Sequence, residues 1–184
     1  MGYALKKAAV GTGLLALGVA FERVSKLADE LKAELREWKD GLIVSVGALP
    51  NGPAISFLHE GGQLRYLGKG HHPDAELTVH FKNIDSAFLL VAGLMPPDTG
   101  YAQHRGILHG NVAQAMQLSR AMNIVQVYLL PGAMVRRNLK RPPVLTPAQR
   151  ALKARILATL AFHMLANCLK KVPGATPPVP AKRG

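Results

Sequence analysis

Two strand patterns and two helix patterns alternate between residues 73 and 125, and this order constrains the fold more than any other part of the chain. Residues 76–81 alternate polar and apolar side chains, which is the period of a strand with one covered face. Asn83 and Asn111 are suited to cap two following helices, and residues 105–109 form a short strand between those helices. Both helices have a broad apolar face, so the segment predicts a sheet covered by helices on one side.

Three further strands precede this segment. Apolar and polar side chains alternate near residues 42–46, 55–57 and 64–66, and turn sequences rich in proline, asparagine and glycine separate these runs. Strands joined by such short turns form an antiparallel meander. The sequence therefore predicts an α+β fold with about five strands in a mainly antiparallel sheet, covered on one face by helices, with long helices at both ends of the chain.

Residues 85–93 read DSAFLLVAG, and a Pro/Asp loop and a strand that closes on Gly110 and Asn111 follow them. An apolar strand followed by these elements resembles the sterol carrier protein 2 (SCP2) lipid-binding domain, over residues 42–130. Asn111 stands where aspartate is more usual in that family, and it keeps the capping chemistry. The PPDT loop and the long flanking helices are most similar to the bacterial lipid-binding accessory factors of ubiquinone biosynthesis.

The resemblance implies a non-enzymatic protein that takes a lipid into an apolar cavity. Methionine suits such a site, because its flexible side chain adapts to irregular apolar guests. The same residues could instead pack a dry core, and the sequence leaves both interpretations open. The segments that line the tunnel in SCP2-like domains carry these large apolar residues here: Phe81, Phe88, Leu89, Met95, Met116, Leu118, Met122 and Ile124.

Composition changes along the chain and divides it into parts. For the first part, heptad-like spacing predicts one helix from Tyr3 to Lys39, whose glycine-rich first half would touch a membrane or a partner. A cleaved signal peptide or a disordered tail are the alternatives for the start of the chain. The predicted parts are an apolar and amphipathic helix at 1–40, the SCP2-like domain at 41–130, a basic segment with an amphipathic helix at 131–172, and a Pro-rich tail at 173–184.

The distribution of charge points to a polyanionic partner. The net charge is +12, all 11 acidic residues lie between Glu22 and Asp98, and residues 99–184 contain Lys and Arg but no acidic residue. Nucleic acid is disfavoured, because residues 136–141 include no aromatic side chain that could stack on a base. An anionic membrane is the preferred partner, and the predicted location is the cytoplasm, peripheral to the inner membrane. The cations expected to contact the membrane are Lys6, Lys7, Arg136, Arg137, Lys140, Arg141, Arg150, Lys153 and Arg155.

Catalytic and metal-binding motifs are not evident in the sequence. The 7 histidines include no HExxH arrangement, and there is no GxSxG nucleophile motif. Cys168 is the single cysteine, and it lies in an apolar helical pattern without a nearby acid or base, so it resembles a small core residue. The sequence therefore predicts no catalytic residue, no metal site and no cofactor.

The leading hypothesis is a non-enzymatic carrier that binds a quinone, polyprenyl or fatty acyl lipid at a membrane surface, in support of ubiquinone biosynthesis. The first alternative is a structural accessory subunit of a membrane protein complex, or a homo-oligomer, that uses the same scaffold with a filled core. The second alternative is a basic protein that binds nucleic acid. Strong salt dependence of DNA binding, exceeding that of binding to anionic vesicles, would favour this last hypothesis.

Overall fold

A five-stranded sheet forms the centre of the molecule. The computed structural model describes residues 2–139 and 143–169, without the side chains of residues 97, 98 and 163–169. The strands lie in the order β3-β2-β1-β4-β5. In chain order they are β1 (Ile43–Ala48), β2 (Ala54–Glu60), β3 (Gln63–Lys69), β4 (Leu77–Phe81) and β5 (Gly106–His109).

Pairing in the sheet is antiparallel except at its centre. β1, β2 and β3 form the predicted antiparallel meander, and β5 pairs antiparallel with β4. β1 and β4 are parallel, because the chain crosses over between β3 and β4. The predicted α+β class and the mainly antiparallel sheet of five strands are confirmed.

Helices cover one face of this sheet. The long α1 packs on β2 and β3 and also on α3, α5 and α7, so it lies at the centre of the helical layer. The helices are α1 (Tyr3–Leu27), α2 (Asp29–Leu35), α3 (Ile84–Val91), α4 (Pro97–Ala102), α5 (Val112–Leu129), α6 (Gly132–Asn138) and α7 (Pro147–Leu169).

The alternation of side chains along the strands separates the two faces of the sheet. Val44 and Val46 of β1 point to the helices and are fully buried. Ser45, between them, points to the opposite face, where its Oγ lies 2.7 Å from Oγ of Ser56 on β2. The loop after β3 closes over these two hydroxyls, and the backbone N–H of His72 donates to both. The second face is thus covered by a short loop instead of a helix.

The glycine-rich start of α1 is part of the core. Gly18 lies against the ring of Tyr66, and Gly13 lies against Val91 of α3, so closely that an added Cβ would be 2.7 Å from either neighbour. Further along α1, Phe21 stacks on Phe57 with ring centroids 5.1 Å apart. These glycines therefore bring α1 close to its own sheet and to α3, where the sequence had suggested contact with a membrane or a partner.

The predicted continuous helix from Tyr3 to Lys39 is divided in the structure. Ala28 adopts an extended conformation between α1 and α2, and α2 ends at Leu35. Both Ala28 and Leu31 are buried, so the break keeps the apolar side chains of α2 in the core. Among the described helices, α1 is the one long and apolar enough to cross a membrane by length and composition, although a third of that window is buried in the fold.

Three helix caps are present, and two of them, Asn83 and Asn111, were predicted. The side chain of Asn83 accepts a hydrogen bond from the N–H of Ser86 at 2.8 Å, and that of Asn111 accepts from Ala113 at 2.7 Å. Thr146 and Gln149 form a reciprocal capping box at the start of α7, in which each side chain accepts from the other residue's N–H. These local interactions satisfy N–H groups that would otherwise lack partners at the helix starts.

Two local predictions were wrong. Residues 97–102 form the short helix α4, where the sequence indicated a loop. Met116, expected among the apolar residues that line the cavity, is 55% exposed. The buried stripe of α5 instead includes Leu118 and Met122, because residues three to four apart share a helix face and position 116 lies outside that stripe.

Candidate functional site

A narrow apolar crevice lies between the β4–β5 edge of the sheet and helices α4 and α5. β4 contributes alternate side chains to it, and α5 contributes residues one helical turn apart. α4 closes the outer side with Gly100 and the ring of Tyr101, whose burial raises the pKa of its phenol. The lining residues are Val79, Phe81, Gly100, Tyr101, Gly106, Leu118, Ser119 and Met122.

The crevice is too small for a lipid as it stands. It encloses about 20 Å³, enough for roughly one water molecule. Pockets that bind drug-sized molecules enclose about 300–1,000 Å³. A lipid could therefore enter only if the walls of the crevice separated.

Met122 lies between this crevice and a second small apolar cavity. The second cavity also encloses about 20 Å³ and lies between α1, α3 and α5. Gln126, one turn further along α5, lines it and is buried. Among the described residues nothing donates a hydrogen bond to its Oε1 atom. Met122 is the one residue that lines both cavities, so a continuous apolar path from Tyr101 to Gln126 would require its side chain to move.

The structure brings together only some of the residues predicted to line a lipid cavity. Phe81, Leu118 and Met122 line the crevice, and Met95 is buried with its Cε 3.2 Å from the position that a Cβ on Gly100 would take. Met116 does not reach the crevice. The remaining predicted residues are half-buried: Phe88, Leu89 and Ile124.

Sequence reasoning missed several lining residues. Tyr101 and Gly100 were assigned to a loop, and Ser119 lies in the apolar stripe of α5 without being apolar itself. The proline at the start of residues 97–102 was the signal for a helix, because proline is favoured in the first turn. A role for Gln126 could not be anticipated, since its burial depends on the packing of three helices.

The cations predicted to contact a membrane have different environments. Lys6 is paired with Asp85 at 2.6 Å, which links α1 to α3. Lys153 donates to the carbonyl oxygens of Val127 and Leu130 at 2.7 and 2.5 Å, and burial lowers its pKa. It therefore holds α7 on the end of α5. Lys7 is half-exposed, Arg136, Arg137, Arg150 and Arg155 are exposed, and Lys140 and Arg141 lie outside the described residues.

Histidines gather on the second face of the sheet. Nε2 of His71 lies 3.1 Å from Nε2 of His80, and the ring of His109 lies 5.8 Å from that of His80. Burial lowers the pKa of both His71 and His80, and the neighbouring histidines lower that of His80 further. No group of three or more metal-ligating side chains occurs in the described part of the chain. His71 and His80 therefore form a neutral hydrogen-bonded pair that links the covering loop to the sheet.

Two wider clefts lie elsewhere on the surface. One, of about 400 Å³, runs between α1 and the turn before β2 and is lined by residues such as Gly11 and Pro53. The other, of about 390 Å³, lies between the end of α5, α6 and the start of α7. Both have the volume of a ligand pocket, but neither has the apolar enclosure of the crevice.

Comparisons with known proteins agree with the architecture. No family model matches the chain, and no curated protein matches it in sequence. Among solved structures, it is similar to a conserved protein of Thermus thermophilus described as possibly a sterol carrier protein, with 12% identity, a TM-score of 0.45, and coverage of 70% of this chain and 91% of that chain.

Two further similar structures are SCP2 proteins. The UbiJ-SCP2 ubiquinone synthesis protein has 14% identity and a TM-score of 0.41, covering 66% of this chain and 96% of that chain. Apo sterol carrier protein 2 from Yarrowia lipolytica has 16% identity and a TM-score of 0.40, covering 65% and 88%. SCP2 domains, the family that the sequence resembles, are thus among the solved structures similar to this fold. At these identities and TM-scores the similarity does not extend to ligand or role.

Proposed function

We propose that the protein binds a hydrophobic lipid between its sheet and helices α4 and α5, and does so at a membrane surface. The observation that carries this proposal is the pair of apolar cavities that share Met122 as a lining residue. The sequence resemblance to SCP2 domains supports a lipid as guest, and the resemblance to ubiquinone-pathway factors favours a quinone or polyprenyl lipid, or a fatty acyl lipid. The binding step requires no catalytic residue.

The proposal requires two movements to open the site. The side chain of Met122 has three rotatable bonds, so it is the side chain expected to leave the wall between the two cavities. α4 has only six residues, and it contributes Gly100 and Tyr101 to the outer wall. Displacement of this short helix enlarges the crevice at its surface end, while the sheet and α5 keep their positions.

Gln126 gives the guest an orientation. Its Oε1 atom is buried at the inner end of the path and accepts no hydrogen bond from the described residues. A buried acceptor without a donor costs about 1–3 kcal/mol, which a hydroxyl or N–H on the guest would recover. Among the proposed guests this favours one with a hydroxyl near the end that enters first, such as a polyprenyl alcohol or the phenolic, reduced form of a quinone, because an oxidised quinone carries only acceptors.

Exposed apolar residues on α7 support the membrane part of the proposal. Leu157 is 38% exposed and Phe162 is 72% exposed, whereas Ile156 and Leu160 are buried. Arg155 is also exposed on the same helix. Apolar side chains flanked by cations suit attachment to an anionic leaflet, with about 1 kcal/mol per cation near the surface. We place the protein in the cytoplasm, peripheral to the inner membrane.

Native mass spectrometry with lipid extraction tests the proposal. The full chain is purified in mild detergent from its own membranes, beside Met122→Trp, which fills the path, and Met116→Trp, which adds the same bulk on the exposed side of α5. We expect a stoichiometric lipid with the wild type and with Met116→Trp, and its loss with Met122→Trp. A wild-type protein free of lipid contradicts the proposal.

The small volume of the crevice favours a second candidate, an accessory subunit with a filled core. In that case the fold serves as a scaffold, and the exposed apolar surface of α7 binds a membrane protein complex. The same purification separates the two candidates. A chain that is free of lipid and remains bound to other subunits supports the scaffold, and replacement of Leu157 and Phe162 by serine releases those subunits.

A further inference from the structure

The cleft between α5, α6 and α7 combines cations with apolar walls. Three cationic side chains line it, and they come from two different helices. The cleft encloses about 390 Å³, within the range of small-molecule sites. None of the residues that line the crevice lines this cleft. Its lining residues are Val127, Gly132, Val135, Arg136, Pro143, Val144, Leu145, Arg150 and Lys153.

The cations of the cleft keep donors available for a ligand. Lys153 uses two N–H bonds for the carbonyl oxygens of α5, and an ammonium group has three. Arg150 donates from Nε to the carbonyl oxygen of Leu145 at 3.2 Å, which orients its guanidinium and leaves both Nη groups. Within the described part of the chain, neither Arg136 nor Arg150 forms an ion pair with a carboxylate.

Acidic residues are scarce around the cleft. The chain has no Asp or Glu after Asp98. The carboxylate of Glu30 on α2 accepts hydrogen bonds from the side chains of Tyr128 and Gln149, the latter next to Arg150 in the chain. Three cations without an acidic partner create a positive potential that favours an anion of more than one charge. Two guanidinium groups also match the planar pairs of oxygen atoms on a phosphate.

The apolar side chains narrow the class of ligand further. Val135 of α6 is buried, and Val144 is 88% exposed at the mouth of the cleft. An inorganic anion would leave such a surface without a partner, whereas an amphiphile would cover it with its first methylene groups. We propose that this cleft binds the phosphate headgroup of an anionic amphiphile, through Arg136, Arg150 and Lys153. The assignment does not depend on the uptake of a lipid by the crevice.

Binding of short-chain lipids to the full chain tests this site. The probes are dioctanoyl phosphatidic acid below its micelle concentration, dioctanoyl phosphatidylcholine with the same chains, and inorganic pyrophosphate, each titrated by calorimetry. We expect phosphatidic acid to bind about tenfold more tightly than phosphatidylcholine, because its phosphate monoester has a third terminal oxygen and a net negative charge, and one more charge-assisted hydrogen bond is worth about a factor of ten or more.

A pair of matched double variants decides whether the cleft is responsible. Arg136→Gln with Arg150→Gln removes two charges that line the cleft, and Arg137→Gln with Arg155→Gln removes two charges from the same helices outside it. We expect the first pair to weaken phosphatidic acid binding at least about tenfold and the second less than about threefold. Lys153 is left unchanged, because it also caps α5.

The outcomes separate the sources of the phosphate. A lipid headgroup is supported if phosphatidic acid binds more tightly than pyrophosphate and if its binding depends on Arg136 and Arg150. Equal binding of pyrophosphate, with the same dependence on Arg136 and Arg150, supports the phosphate site and assigns it to a soluble ligand. Equal losses in the two double variants, or no loss in the first, overturn the proposal and leave only diffuse charge attraction. The Met122→Trp variant should bind phosphatidic acid normally in the cleft, so failure of the crevice and failure of the cleft are distinguishable.

Discussion

α1 and α7 are the two long apolar helices of the chain, and they are used in different ways. α1 has 25 residues and buries a stripe from Val10 to Val24 against the sheet and three helices. α7 has 23 residues, and up to Phe162 it buries Ile156 and Leu160 while Leu157 and Phe162 remain exposed. Similar apolar content therefore does not predict burial. The close contacts of the glycines decide it for α1, because they let the helix approach its own fold.

Replacing one aromatic ring in each helix gives the largest expected contrast. Phe21→Ala removes a fully buried ring that stacks on Phe57, and we expect the free energy of unfolding to fall by about 3–5 kcal/mol. Phe162→Ala should change it by less than about 0.5 kcal/mol, because that ring is mostly exposed. Urea unfolding of both variants measures the difference. Equal losses would show that α7 belongs to the core as much as α1 does.

Replacement of a tightly packed glycine of α1 by alanine should give the next largest change in the free energy of unfolding. A Cβ on Gly13 would lie 2.7 Å from Cβ of Val91, so Gly13→Ala should lower the free energy of unfolding by about 1–3 kcal/mol. Gly11→Ala is the control, because its Cβ would be 3.5 Å from Pro53, an ordinary contact. The control should gain up to about 1 kcal/mol of helix propensity. Stabilisation by both alanines would mean that α1 is not tightly packed on α3.

The attachment of α7 is expected to be weaker and more polar. Lys153→Met keeps the length of the side chain and removes the ammonium that binds Val127 and Leu130. We expect a loss of about 1–2 kcal/mol in thermal or urea unfolding. Arg155→Met, at an exposed position of the same helix, is the control and should be neutral. An unchanged stability for Lys153→Met would show that apolar packing alone holds α7.

Substitutions on the exposed side of α7 should change the affinity for membranes without a change of stability, in contrast to substitutions in α1. Leu157→Ser with Phe162→Ser should leave the melting temperature almost unchanged and reduce flotation with vesicles that contain anionic lipid. The same substitution at a buried position of α1, Leu14→Ser, should unfold the protein before any membrane effect is seen. Normal flotation of the α7 variant contradicts the assignment of this surface to the membrane.

A decrease in pH acts on neither long helix and is expected to have the smallest effect. The pKa values of His71 and His80 are held below the ordinary value of 6.5, so the unfolded chain takes up protons before the folded chain does. Stability should be fully present above about pH 7 and fall as the pH drops through 6.5 and then through the lowered values. Melting temperatures at about pH 7.5 and about pH 5.5 measure this loss. His80→Gln should reduce the difference.

Much of the fold could be predicted from local patterns. Alternation indicated four of the five strands, the fifth was placed at residues 105–109 between two helices, and Asn83 and Asn111 each cap the helix expected after them. These signals are local, because a cap needs only about three or four residues. The break at Ala28 could not be predicted, because α1 and α2 share one apolar pattern and the break depends on how α2 packs on α5.

The site was less predictable than the fold. Phe81, Leu118 and Met122 were expected in one place and do line one crevice, whereas Met116 is exposed. The type of a residue shows whether its side chain suits a cavity, but the volume of the crevice depends on the distance between α5 and the sheet.

The basic cleft could not be predicted from the sequence for a similar reason. Arg136 and Arg137 are equivalent in sequence, and only the turn of α6 places one of them in the cleft.

α1 is synthesised before the strands and helices that cover it, and this order matters while the chain is being made. Its partner Phe57 follows Phe21 at some distance, and Val112, where α5 begins, is 85 residues beyond Leu27. At about 5–20 residues per second, a ribosome needs roughly 4–17 s to make that interval. Until α5 has been made, the apolar stripe of α1 lacks one of the surfaces that will cover it, although β2, β3 and α3 precede α5 in the chain. The nascent chain thus presents to chaperones, or to the membrane beside the ribosome, a surface that the finished protein no longer displays.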